Sequence, residues 1–279
     1  MGRTLVVITG ASSGIGEAFA RRLAPEHDLL LVARRKDRLE KLATELSSEH
    51  PTHIEISTAD LTLDDDVDGV AQRLATDPRL ALLVNNAGFG SRGLFWKAPL
   101  QQQEDMHKLH IMAPLRLMHA ALSNMVPRDF GAIINVASIA SFIRTPGNAS
   151  YSATKTWLST FTEAIYTELK SARSQVVVQA LCPGYTYSEF HDALGVDREK
   201  LGSKAMWHSA EFVVDASLDG LRRHKLFVVP GWRYRLLLAF LNSLPSPLRV
   251  ALEANLTRTL PETLPSAKAH SQIDAGGSR

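Results

Sequence analysis

Seven short apolar runs recur along this chain, and amphipathic segments separate them. The runs are "TLVVIT" (4–9), "DLLLVA" (28–33), "HIEIST" (53–58), "ALLVNN" (81–86), "GAIINVA" (131–137), "VVVQALC" (176–182) and "KLFVVP" (225–230). Most are continuously apolar, the pattern of strands covered on both faces. Between them, "RLEKLATEL" (38–46) sets Leu39, Leu42 and Leu46 on one helical face. Segments 100–125 and 151–171 are each long enough for a helix of about five or six turns. Strictly alternating β and α segments imply parallel strands joined by right-handed crossovers. The expected fold is therefore doubly wound α/β, a seven-stranded parallel sheet with helices on both faces. It occupies residues 1–231 as one domain. A helical extension is expected at 232–260, and a Ser-, Ala-, Gly- and Pro-rich tail at 261–279 is expected to be disordered.

Composition removes several function classes. A chain of 279 residues with 45% hydrophobic and 22% charged residues can bury a full core. A net charge of +2 makes no electrostatic case for nucleic acid. Cys182 is the only cysteine, so a disulfide framework is excluded and a reducing compartment is expected. No apolar run reaches the roughly 20 residues of a membrane span, and no leader pattern precedes the first strand. The expected location is cytoplasmic.

The first strand runs into "TGASSGIGEAFARRLA" (9–24), with glycines at Gly10, Gly14 and Gly16. In an open parallel sheet, ligands bind outside the carboxyl ends of the strands. A strand-to-helix turn there presents unpaired N–H groups at the positive end of a helix, a site for a pyrophosphate. Glycine lets the backbone approach closely and adopt conformations closed to other residues. Ser12, Ser13 and Ile15 would line the same turn. Alone, the motif is equally compatible with a Gly-rich turn kept for packing.

Four further stretches follow: "NNAG" (85–88), "NVAS" (135–138), "YSATK" (151–155) and "PG" (183–184). With T-G-x-x-x-G-I-G upstream, their order and spacing over residues 4 to about 231 resemble the short-chain dehydrogenase/reductase family. The resemblance implies a Rossmann-type fold and NAD(P)-dependent interconversion of carbonyls and alcohols. It assigns Tyr151 as general acid/base, with Lys155 and Ser138 as its partners. It also counts Tyr151 and Lys155 among the cofactor contacts.

The same residues make chemical sense directly. Hydride transfer to a carbonyl builds negative charge on oxygen and calls for a proton donor. A tyrosine of pKa near 10 is a poor acid/base at neutral pH. A neighbouring ammonium is expected to lower that pKa, and Tyr151 and Lys155 stand four apart, on one face of a helix. Ser138 follows the fifth strand, where its hydroxyl can reach the developing oxyanion. A Tyr-x-x-x-Lys pair is otherwise an ordinary pair on a helix surface.

The cofactor's identity is read after the second strand. NAD-binding folds place an acidic residue there for the ribose 2′-OH; this chain reads "ARRKDR", with Arg34 at the acidic position and Arg35 next to it. Two guanidiniums suit a 2′-phosphate, so NADP(H) is expected, against a solvated basic loop as the plain alternative. In the family pattern, Asp60 meets the adenine edge, Asn85 lies near the adenine ribose and Thr186 near the nicotinamide amide. Leu61, Ala87, Gly88, Pro183 and Gly184 are counted among the cofactor contacts. The asparagine pair is equally suited to tying neighbouring strand ends together.

One position departs from the family. Where the fourth helix usually carries an Asn that supports a helix irregularity and a water chain to the lysine, this chain reads "KLHIMAPL". His110 stands there as a polar substitute, as a proton carrier, or as the mark of a weakened relay.

Substrate recognition is expected from Phe89, Phe95 and Trp96 after the fourth strand, and from Tyr185, Tyr187 and Phe190 after "PG". They either line a pocket for a lipophilic carbonyl or alcohol or only pack a lid. His191 has no second ligand at a metal-binding spacing, so no metal is expected. The apolar, arginine-flanked segment 231–256 is expected to pack over the substrate pocket or a partner subunit rather than lie on a membrane. In the family the two long helices form dimer or tetramer interfaces, which implies a homo-oligomer. The alternative to an enzyme is a non-catalytic NADP-binding sensor or scaffold of the same fold.

Overall fold

The computed structural model describes residues 2–91, 93–189 and 204–255. Seven parallel strands form one sheet: β1 (Leu5–Thr9), β2 (Asp28–Ala33), β3 (Ile54–Thr58), β4 (Leu80–Asn85), β5 (Ala132–Val136), β6 (Val177–Leu181) and β7 (Phe227–Val228). Their order is β3-β2-β1-β4-β5-β6-β7. The helices are α1 (Gly14–Leu23), α2 (Lys36–Glu49), α3 (Asp64–Thr76), α4 (Leu100–His107), α5 (Ala113–Met125), α6 (Ala149–Ser171), α7 (Ala210–Arg222), α8 (Trp232–Ser243) and α9 (Ser246–Asn255). This is the doubly wound architecture expected from the alternation. Strand order reverses between β1 and β4, which opens a crevice at their carboxyl ends.

Strand β1 shows why the runs are continuously apolar. Val6 and Ile8 enter a cluster with Phe19, Leu39 and Val213. Leu5 and Val7 enter a second one with Val67, Leu74 and Leu117. Alternate side chains face opposite layers, and both layers are covered. Full burial of a side chain such as Phe19 stabilises the fold by about 1.5–3 kcal/mol.

Two elements differ from the sequence expectation. The run 225–230 yields only Phe227–Val228 as strand. Its pairing ends where both chains reach prolines, Pro183 and Pro230, which have no N–H to donate. The segment 100–125 is not one regular helix either, because Lys108–Met112 forms a π-helical turn between α4 and α5. Pro114 cannot donate to the carbonyl four residues back, that of His110, so regular α-helical bonding cannot pass through.

Helices α8 and α9 follow β7. Tyr234, Leu238 and Leu241 are buried on α8, while Trp232, Leu236 and Phe240 are exposed. Among the described residues no helix is long and apolar enough to cross a membrane. The expected tail, 261–279, and Phe190 and His191 lie outside the described residues.

Candidate active site

The glycine turn sits at the switch point, between β1 and α1. Gly10 has φ +66° and Gly14 φ +58°. A Cβ on Gly10 would stand 2.8 Å from the Ala87 Cα, and one on Gly16 2.2 Å from the Gly10 carbonyl oxygen. The turn therefore closes only with glycine at these places. Ser13 occupies the N-cap of α1, yet its side chain makes no capping hydrogen bond. It accepts instead from Arg35 Nη2 at 2.8 Å. The amides opening α1 are thus left without a side-chain cap, as an anion site needs. On these grounds the turn fits a dinucleotide pyrophosphate. Ile15 packs against the core beneath it.

Arg35 also donates to Ser12 Oγ from Nε (3.2 Å) and Nη2 (3.0 Å), so its guanidinium lies against the phosphate turn. Arg34 pairs loosely with Asp60 instead. It is 71% exposed, with Nη1 3.6 Å from Asp60 Oδ2. Asp60 Oδ1 accepts from Thr62 N (3.0 Å) and Oγ1 (2.8 Å). Leu61 is a core residue.

At the end of β4, Asn85 is buried and its Nδ2 donates to Asn135 Oδ1 across to β5 at 2.9 Å. Asn135 in turn donates to Thr162 Oγ1 on α6 at 2.8 Å. The strand tie is thus the role this geometry contains for Asn85. Asn86 holds the glycine turn: its Nδ2 donates to the carbonyls of Thr9 (2.9 Å) and Gly10 (3.1 Å). Ala87 N donates to Thr9 Oγ1 at 3.0 Å.

Ser138, Tyr151 and Lys155 converge beyond β5. Ser138 opens a short 3-10 turn and its Oγ accepts from Ala140 N at 3.1 Å. Its hydroxyl is also hydrogen-bonded to the Tyr151 phenol. Lys155 Nζ lies 5.8 Å from the Tyr151 ring centre and donates to the Val136 carbonyl at 2.8 Å. Desolvation pushes the phenol up to about 12, against a smaller opposing effect of the Ser138 bond. Desolvation brings Lys155 down to about 8. This differs from the expectation that Lys155 lowers the phenol's pKa: burial raises it, and the ammonium is turned to the Val136 carbonyl.

His110 joins this group from the π turn. Its Nε2 accepts from Phe89 N at 3.1 Å, so in the neutral ring the proton is on Nδ1. Nδ1 then donates to Thr154 Oγ1 at 3.0 Å, and Thr154 Oγ1 donates to the Tyr151 carbonyl at 2.9 Å. The ring lies edge-on to Tyr151, 5.8 Å between centres, and Phe89 packs on it at the same distance. A Cβ on Gly88 would meet His110 Nε2 at 2.8 Å, so the glycine makes room for the imidazole.

The Pro183–Gly184 turn closes the site from the other side. Pro183 O accepts from Ile139 N at 3.0 Å. A Cβ on Gly184 would fall 2.0 Å from Tyr234 Cζ. The Tyr234 hydroxyl accepts from Tyr185 N (2.9 Å) and donates to Met206 O (2.6 Å). Tyr187 N donates to His208 O (2.9 Å) and His208 N to Tyr185 O (3.0 Å). Trp207 stacks with Tyr185 and packs against Tyr187, at 5.2 and 5.0 Å between ring centres. Thr186 is buried, its Oγ1 donating to Gly184 O at 3.1 Å. The extension thus packs over this segment. Tyr234→Phe leaves the Tyr185 N–H without its acceptor and is expected to cost about 1–3 kcal/mol, read as a lower denaturation midpoint. Phe95 and Trp96 are not drawn into this cluster. They are 54% and 75% exposed, and Phe95 lines a groove with Leu100, Gln103 and His107 that holds none of the three converging residues.

Residues 4–199 match the family model described as short chain dehydrogenase. The chain belongs to the short-chain dehydrogenase family. It is 32% identical over 182 residues to an uncharacterized oxidoreductase of Staphylococcus epidermidis, covering 64% of this chain and 76% of that one. Among solved structures it is similar to a short-chain dehydrogenase from Sphingobium yanoikuyae in complex with NADPH: 33% identity, TM-score 0.78, 92% of this chain and 98% of that one. It is also similar to a bulky-bulky ketone specific alcohol dehydrogenase from Comamonas testosteroni: 29% identity, TM-score 0.76, 95% and 100% covered.

For a short-chain dehydrogenase, the departure at His110 is local. The helix irregularity is present, and both ring nitrogens are satisfied by neutral-ring hydrogen bonds. Burial first, then the Lys155 charge, pulls His110 well below 6.5. A second ring proton would also face the Phe89 N–H donor. His110→Asn is therefore expected to leave the shape of the pH–rate profile unchanged across the neutral range. A neutral inflection lost only in that variant would show that His110 titrates. Thr154, Asn135 and Tyr234 were not singled out in the sequence. The first two lie inside quoted motifs, whereas nothing local marks Tyr234.

Proposed function

We propose that this short-chain dehydrogenase interconverts a carbonyl and an alcohol on a lipophilic small molecule, with NADP(H) as its partner. The observation that carries the reading is the convergence of Ser138, Tyr151 and Lys155 beside an uncapped glycine turn. Gly10, Ser12, Gly14 and Gly16 would hold the pyrophosphate, Arg35 the 2′-phosphate, and Thr186 the nicotinamide side. The bound dinucleotide supplies or accepts the hydride. In the reducing direction Tyr151 donates its phenolic proton to the substrate oxygen, and its raised pKa keeps that proton in place at neutral pH. Ser138 orients the phenol and can donate to the same oxygen. Lys155 Nζ is on the Val136 carbonyl in the free protein, and the ammonium would offset the phenolate by turning towards it once the proton has left.

NADP(H) is favoured because Arg35 lies on the phosphate turn, and a similar protein was solved with NADPH. A lipophilic substrate is supported by the aromatic rings of Phe89, Tyr185, Tyr187 and Trp207, and by the bulky ketones of the Comamonas relative. Exposed Leu100 and Met112, along α4 and the π turn, support a homo-oligomer as in other members of the family. The test is a screen of aldehydes, ketones and alcohols with both cofactors. NADPH-dependent reduction of bulky apolar ketones is expected to outrun that of small polar ones. NADH preference, or turnover of polar substrates alone, would overturn the corresponding half of the reading. The sensor or scaffold alternative predicts NADPH binding with no turnover.

A further inference from the structure

The arginine at the phosphate turn does not stand alone. Arg38, in the first turn of α2, reaches the same place, and a single carboxylate spans the two guanidiniums. Glu189 Oε2 accepts from Arg35 Nη1 at 2.8 Å, and Glu189 Oε1 from Arg38 Nη1 at 2.5 Å. The remaining nitrogens of Arg35 are on Ser12 and Ser13. The residue before Glu189 lies over the turn itself: a Cβ on Gly14 would stand 2.9 Å from Ser188 Cβ. Arg38 chiefly, and Arg35 next, hold the Glu189 carboxyl down at about 2, so it is an anion throughout the working pH range.

We propose that Glu189 is a specificity-determining residue: in the free protein its carboxylate occupies the Arg35–Arg38 pair that the 2′-phosphate of NADP(H) would take, and it must be displaced for that cofactor to bind. The proposal rests on the NADP(H) reading above and adds to it an internal competitor. A phosphate monoester carries about −1.5 to −2 charge and three acceptor oxygens, so it can replace one carboxylate on two guanidiniums. The 2′-hydroxyl of NAD(H) carries no charge and leaves the Glu189 pair intact. Glu189 therefore taxes NADP(H) alone and narrows the preference that Arg35 and Arg38 create. Arg34, exposed above Asp60, takes no part.

Calorimetric titration separates these effects without turnover. The probes are adenosine 2′,5′-bisphosphate, 5′-AMP, NADPH and NADH, on wild type, Glu189→Gln and Arg38→Ala. Glu189 is half-exposed, and the melting midpoint of each variant checks that folding is intact. Glu189→Gln is expected to bind the bisphosphate and NADPH about three- to tenfold more tightly, the scale of two partly exposed ion pairs. Its affinity for 5′-AMP and NADH should stay unchanged. Arg38→Ala should weaken only the 2′-phosphorylated probes. If wild type prefers those probes and Glu189→Gln leaves them unchanged or weakens them, the competitor is overturned and the cofactor reading stands. If wild type does not distinguish the bisphosphate from 5′-AMP, the cofactor reading falls and the competitor with it.

Discussion

Tyr151→Phe is expected to lower kcat by about 10²–10⁴-fold, the range of a lost general acid/base. The ring would keep its edge-on packing against His110. The substitution removes the hydroxyl and with it the bond to Ser138. Cofactor affinity should therefore stay within a few-fold of wild type, and the loss should fall on kcat rather than on binding. Burial holds the phenol near 12, so at neutral pH the wild-type group carries the proton that a carbonyl reduction needs. Steady-state kinetics paired with direct NADPH titration checks this. A variant still turning over within a few-fold of wild type would remove Tyr151 from the chemistry.

Arg35→Ala carries the second large effect. Arg35, not its neighbour Arg34, has its guanidinium on Ser12 and Ser13 of the phosphate turn. Loss of a charge-assisted contact to a 2′-phosphate should cost roughly 1.5–3 kcal/mol, about 10- to 150-fold in NADPH affinity. NADH should be little affected. Equal weakening of both cofactors would mean that Arg35 supports the turn itself and does not read the phosphate. Arg34→Ala, with its side chain in solvent over Asp60, is expected to do far less.

The sheet was legible because most strands have to satisfy two covered faces. Val6 with Ile8, and Leu5 with Val7, leave Thr9 at the carboxyl end as the one polar position in β1. The converging trio Ser138, Tyr151 and Lys155 was legible because its members sit within short motifs on one strand end and one helix turn. The π turn was hidden from periodicity, since it shifts the helix by a single residue; Pro114 and the resemblance at the His110 position were its signals. Roles split between distant residues were also hidden. Tyr234 seats on Gly184 from a separate helix, and Glu189 meets Arg35 and Arg38 across the switch point. The direction of the Tyr151 shift was missed for another reason. Spacing brings Lys155 alongside, but only the folded geometry shows that the phenol is buried and that the ammonium is turned to Val136.

The most direct test of the central claim follows the transferred hydride. NADPH deuterated at the transferable position of its nicotinamide is incubated with the protein and a ketone that it reduces, and the alcohol is analysed by mass and by NMR. The account predicts deuterium on the carbinol carbon, one per NADPH consumed. Stoichiometric binding of NADPH with no label passed to any carbonyl across a chemically broad panel would contradict it, and would make the protein a binder of the cofactor without its chemistry.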